Sequence, residues 1–142
     1  MIKRILCALL FALCLPALAG GGAAVSDAWL RYIPGGTPAA GYFTLTNHGD
    51  KPLSLVGAEC PDFSMVMIHR TLERGGISTM RPVHELTVAP GKSIDFAPGG
   101  YHLMLIRPRH PLEAGGRLPV TLRFADGSSL TVEFLVHSLG AR

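Results

Sequence analysis

Cysteine is nearly absent from the part of this chain that can fold. Three cysteines occur in 142 residues, and Cys7 and Cys14 lie in an apolar leader. Cys60 is left as a single thiol, which excludes an intramolecular disulfide framework. Its expected state is a buried, inert thiol. Charge is also scarce, at 16% of residues. Arg107 and Arg109 are near neighbours, but two arginines make a solvated edge and not a footprint for nucleic acid. Missing too are a second long apolar run, a repeat, a low-complexity segment and a sustained 3.6-residue apolar stripe bounded by helix caps. No Gly-x-Ser-x-Gly elbow, paired carboxylates or His-Glu-x-x-His helix is present, so no enzyme signature is found.

The leader has three recognisable parts. Met1-Ile2-Lys3-Arg4 is positive, Ile5 to Leu15 is apolar, and Ala17-Leu18-Ala19 is an A-x-A cleavage signal. Residues 1–19 therefore read as a secretory signal peptide cleaved after Ala19, and the apolar run is too short to span a membrane comfortably. Cys14 raises a lipoprotein reading, but Phe11-Ala12-Leu13 lacks the usual small residue just ahead of it. Cleavage leaves residues 20–142, 123 in all, enough for one domain with one core. Without Lys3 and Arg4 the 13 basic residues become 11 against 10 acidic ones, so the chain is nearly neutral.

What is abundant is turn chemistry. Seventeen Gly and eleven Pro punctuate short apolar runs, the pattern of an all-β domain. Strands are expected over 27–33 (with Trp29 as the largest apolar anchor), 40–46, 53–58, 64–72, 77–83, 85–88, 92–96, 101–106, 118–124 and 130–136. Alternation places Tyr42, Thr44 and Thr46 opposite Phe43 and Leu45. It also places Val66 and Ile68 toward the core, with Met65, Met67 and His69 on the other face. Nine or ten short strands argue a sandwich or barrel.

The chemistry centres on Gly99-Gly100-Tyr101-His102-Leu103-Met104, a turn feeding a strand. With period 2, His102 and Met104 share a face, and an imidazole beside a thioether suits a soft metal ion. Alone, the pair would be a surface histidine and a core methionine. The spacing adds weight: His69, ten residues, Met80, twenty-one residues, His102, one residue, Met104.

This H-x10-M-x21-H-x-M pattern resembles that of the periplasmic copper chaperone PCuAC family. Asp27-Ala28-Trp29, Asn47-His48-Gly49-Asp50, Met80-Arg81-Pro82-Val83 and Pro98-Gly99-Gly100-Tyr101-His102 are similar to words of the same family, so the likeness runs from Asp27 to about Val136. The resemblance implies a cupredoxin-like, Greek-key β-sandwich in a single domain. It implies one Cu(I) per chain, held by His69, Met80, His102 and Met104. The expected role is to carry copper between donor and acceptor proteins of the cell envelope, in the periplasm. An oxidase subunit or a thiol-containing assembly factor is the expected acceptor, for the CuA centre of cytochrome c oxidase. Two departures stand out. Thr71 occupies a position where many members carry Met, and the tail from Val136 to Arg142 holds a single His137, so no strong second site is expected.

The donor types point to Cu(I) independently. Thioethers and imidazoles suit a soft ion, whereas structural zinc favours thiolates or more histidines. Thioethers cannot form disulfides in an oxidising compartment, although they remain open to sulfoxide formation. Three neighbouring strands are expected to bring the four side chains to one end of the sandwich. Met67 is a candidate transient ligand, set against a plain packing role. His48, His84, His110 and His137 read as solvated. The alternatives are an electron-transfer cupredoxin, which needs a Cys-His-Met cluster that is not found near the C-terminus, and a non-metal interaction module.

Overall fold

A computed structural model describes residues 22–35 and 38–138. The proposed signal peptide with its Ala19 cleavage point, and the last residues of the tail, lie outside the described residues. Among those described there is no helix, and ten strands follow one another: β1 (Ala23–Tyr32), β2 (Ala39–Asn47), β3 (Leu53–Glu59), β4 (Phe63–Arg74), β5 (Ile77–Pro82), β6 (Leu86–Val88), β7 (Ser93–Phe96), β8 (Tyr101–Pro108), β9 (Arg117–Phe124) and β10 (Ser129–Ser138). Every expected strand is present, and the β-sandwich expectation holds.

The strands are hydrogen-bonded in the order β5-β4-β8-β7-β2-β1-β10-β9-β3-β6, with β8 also pairing β2. The parallel β1–β10 contact joins two halves whose pairings are antiparallel, apart from a short parallel β7–β8 bridge at Phe96 and Tyr101. Folding one half over the other buries the inward set: Leu30, Phe43, Leu45, Leu55, Leu103, Leu105, Val120, Leu122, Phe134 and Val136 are all nearly inaccessible. These are alternate positions on their strands, which is why period-2 patterning finds them. Asn47, also fully buried, closes one end of the sandwich. Its amide donates to the Lys51 and Val88 carbonyls while its Oδ1 accepts from the Gly49 N–H. The site is fully satisfied, as a buried amide must be.

Trp29 is not the core anchor of β1. A bulge between Ser26 and Trp29, with Asp27 at φ 54°, inserts an extra residue opposite β2. A bulge shifts the alternation downstream of it. Leu30 consequently takes the core position, and Trp29 turns to the outer face. There it lies 4.8 Å from the Tyr42 ring and stacks on His137 at 5.0 Å.

Candidate functional site

β4 and β8 run antiparallel in a register that sets Met67 opposite Met104 and His69 opposite His102. Residues directly opposite share a face, so two rungs of the ladder carry nothing but soft donors. β5 pairs with the far side of β4, with Thr71 opposite Met80 and His69 opposite Pro82. The tight return between them passes through Gly75 and Gly76, both at positive φ, a conformation glycine adopts without strain. All four residues singled out by the spacing therefore lie on the outer face of three adjacent strands. His69 sits in mid-strand, because β4 runs on to Arg74.

The two imidazoles meet edge-on, with ring centroids 5.8 Å apart and planes at 69°. His102 is only 5% exposed although it belongs to the outer face. Its Nδ1 lies 3.3 Å from the Gly100 carbonyl, which can only accept, so Nδ1 is the donor in this contact and Nε2 is the nitrogen left for another partner. That Nε2 is buried with no hydrogen-bond partner, and so are both nitrogens of His69. Burial and the facing His102 lower the His69 pKa below its ordinary value. At neutral pH the His69 ring is therefore uncharged, the state in which imidazole ligates metals.

Buried polar atoms without partners cost free energy and call for an explanation. Here all three belong to the facing His69–His102 pair, and His102 shares a cavity with two thioethers. Met80, His102 and Met104 line a cavity of about 380 Å³ whose other walls include Arg31, Tyr42, Thr71, Glu73 and Pro98. His69 does not line it and lies against the His102 ring edge. Met80 is 57% exposed, so the cavity opens on the thioether side. Among the described residues no three His, Cys, Asp or Glu side chains converge as a metal cage. A metal bound at this face would draw on two imidazoles and the methionines, a soft donor set.

Arg31 and Tyr42 were not singled out by spacing. The Arg31 guanidinium lies 5.4 Å from the Tyr42 ring centroid, and both border the cavity. The only signal in the sequence was Tyr42 on the polar side of an alternating strand. The β1 bulge hid the alignment of Arg31 with it.

Met67 faces Met104 but lines a separate small cavity with Pro82 and His84. Cys60 is buried, and its Sγ lies 3.8 Å from Asp62 Oδ2. It borders another cavity with Glu59 and Met65, away from the histidine pair. Burial pushes its thiol up to about 11, matching the expected inert cysteine. Two histidines expected to be merely solvated have partners. His110 Nε2 pairs with Asp62 Oδ1 at 2.6 Å, and His137 stacks on Trp29. His48 and His84 are exposed, as expected.

The family model described as "Putative lipoprotein LpqE-like" matches residues 23–136. A protein of Leifsonia xyli subsp. xyli named "Putative lipoprotein Lxx21020" is 36% identical over 118 residues, covering 82% of this chain and 70% of that one. Among solved structures, the Cu(I) form of DR1885 from Deinococcus radiodurans is similar at 33% identity and a TM-score of 0.64, covering 78% of this chain and 74% of that one. The apo PCuAC domain of PmoF1 is similar at 25% identity and a TM-score of 0.72, covering 88% of this chain and all of that one. The chain therefore belongs to the LpqE-like family, which is the PCuAC family that its His and Met spacing resembles.

Proposed function

We propose that this chain is a copper chaperone of the cell envelope that holds one Cu(I) through His69, Met80, His102 and Met104 and passes it to a partner. The observation that carries the reading is the facing His69–His102 pair with three buried, unpartnered nitrogens, its His102 ring sharing a cavity with two thioethers. DR1885, a similar protein, has been solved in a Cu(I) form, which supports the same ion here. The protein acts as a carrier without turnover. Ligand exchange at an open cavity moves the ion, and the recipient is the CuA centre of cytochrome c oxidase or a factor that fills it. Relatives named as lipoproteins support export, and the leader supports release into the periplasm by cleavage after Ala19.

An electron-transfer cupredoxin would place a thiolate at the metal. Cys60 borders a different cavity with its proton firmly held, which favours the carrier. The test is anaerobic Cu(I) titration of residues 20–142 against a calibrated chelator. One equivalent is expected to bind to wild type. Met80→Ala, His102→Ala and Met104→Ala are each expected to weaken binding by more than the roughly 10–100-fold typical of outer-shell changes. Wild-type affinity in all three variants would defeat the assignment. An intense blue colour with Cu(II) would favour the cupredoxin.

A further inference from the structure

β4 outruns the layer that covers it. Its inward positions begin as core, with Ile68 4% exposed. The same face then continues through Arg70, Leu72 and Arg74, where Leu72 is half-buried and both arginines are exposed. β5 extends this face in register, with Arg81 opposite Arg70, Thr79 opposite Leu72 and Ile77 opposite Arg74. Ile77 is 67% exposed, and a cavity of about 360 Å³ is lined by Leu72, Arg74, Ile77, Thr79 and Arg81.

The charges on this face are unbalanced. Glu73 is the sole carboxylate of β4 and β5, and it lines the opposite, copper-side cavity. The sole ion pair within 4 Å among the described residues is His110 with Asp62. Arg70 lies 5.1 Å over the Tyr101 ring, while Arg74 and Arg81 have no carboxylate partner. Like charges set directly opposite in a sheet, as Arg70 and Arg81 are, destabilise it. Two apolar side chains ringed by uncompensated guanidiniums have the composition of a docking patch.

We infer that this overhanging face docks a partner protein through an apolar side chain rimmed by Asp and Glu. The inference rests on the carrier reading, because Met80 projects from the reverse side of the same two-stranded ribbon. A partner seated here stands at the free edge of β5, beside the most exposed copper ligand. Anionic lipid is the weaker fit. Charge-driven lipid recognition uses clusters of about 4–8 basic residues, and here one of three is already engaged with an aromatic ring.

The test uses two synthetic peptides with the same Cys-x-x-x-Cys core, flanked in one by glutamates and in the other by glutamines. Transfer from Cu(I)-loaded protein is followed anaerobically at low ionic strength. The glutamate peptide is expected to acquire copper about 10-fold faster, an electrostatic on-rate effect. That advantage disappears at about 0.5 M salt, where charges a few ångströms apart are screened. It also disappears in Arg74→Glu/Arg81→Glu, whose Cu(I) affinity stays at the wild-type value. A copper-free arm reads amide shifts of the apo protein against the glutamate peptide with serine in place of cysteine. Shifts are expected at Leu72, Arg74, Ile77, Thr79 and Arg81. Equal transfer rates, an advantage that survives the double reversal, or shifts located elsewhere would overturn the inference. So would binding to phosphatidylglycerol vesicles without any peptide shift. If the wild type binds no Cu(I), the carrier reading fails by itself, and the shift map still decides the docking face.

Discussion

Replacing His69 by leucine should make the apo protein more stable while removing copper-dependent stabilisation. His69 is half-buried, both of its nitrogens are withdrawn from water, and neither has a hydrogen-bond partner. A neutral imidazole carries one donor and one acceptor, so both functions go unmet in the apo state. Leaving a buried polar group unsatisfied costs about 1–3 kcal/mol. Because the side chain as a whole is half-buried, the lower part of that range applies, about 1–2 kcal/mol recovered by an apolar side chain of similar size. For a domain of this length that corresponds to a rise of about 3–10 °C in Tm. The assay is thermal unfolding of wild type and His69→Leu, each with a Cu(I) chelator in excess and each anaerobically with copper held at about 100 times Kd. Wild type should gain about 2.7 kcal/mol at that saturation, and the variant little. A variant less stable than apo wild type would show that the nitrogens are satisfied in solution. A variant with an undiminished copper response would show that His69 is no ligand. The expected trade is stability for function, the usual situation of a site prepared for an absent partner.

Three further outcomes follow from the same structure. With its thiol pushed up to about 11, Cys60 should react with a disulfide reagent at pH 8 at least about 100-fold more slowly in the native than in the urea-unfolded chain, and Cys60→Ala should bind Cu(I) as wild type does. Hydrogen bonds to the Pro111 carbonyl and to Asp62 raise the His110 pKa, so the pair's contribution to stability is complete below the ordinary histidine pKa of about 6.5 and fades as pH rises through the folded value. Titration of the His110 ring by NMR should show a pKa that drops in Asp62→Asn, and an unmoved value would contradict the pairing. Limited peroxide treatment should oxidise Met80 and Met65, 57% and 46% exposed, ahead of the other described methionines. Bound Cu(I) should protect Met80 and not Met65, which mass spectrometry of the peptides would read directly.

The sequence made the strands legible because turns and alternation are local. Gly75-Gly76 announced the β4–β5 return, and Ile68 beside His69 announced which face was which. Pairing across strands is not local. Nothing in the segments themselves states that His69 sits opposite His102; that came from a spacing pattern held in common with a family, and the register supplies its physical reason. The β1 bulge was illegible because one inserted residue leaves composition unchanged while reversing every side chain after it. That single residue sends Trp29 outward and brings Arg31 to the rim of the cavity. The His110–Asp62 pair was hidden for a related reason, since its partners stand 48 positions apart and neither belongs to a motif.

The three strands hold the proposed donors with unequal firmness, and on the carrier reading this gives the release of copper a direction. β4 and β8 lie inside the sheet, each hydrogen-bonded on both sides, so the rung joining His69 and His102 is fixed by the fold. Met104 shares that support through β8 and its pairing with Ala40. Met80 stands on an edge strand whose six residues are all exposed. Few buried contacts and a solvent-facing ladder mark a segment that opens at low cost. Exchange of ligands should therefore begin at Met80, with an incoming donor taking its place before the imidazoles let go. On this argument Met80→Ala accelerates copper loss to a competing chelator more than it changes the coordination signature of the remaining donors, whereas His102→Ala abolishes that signature. X-ray absorption on the two variants separates the cases. An unchanged dissociation rate in Met80→Ala would place the first step on another strand.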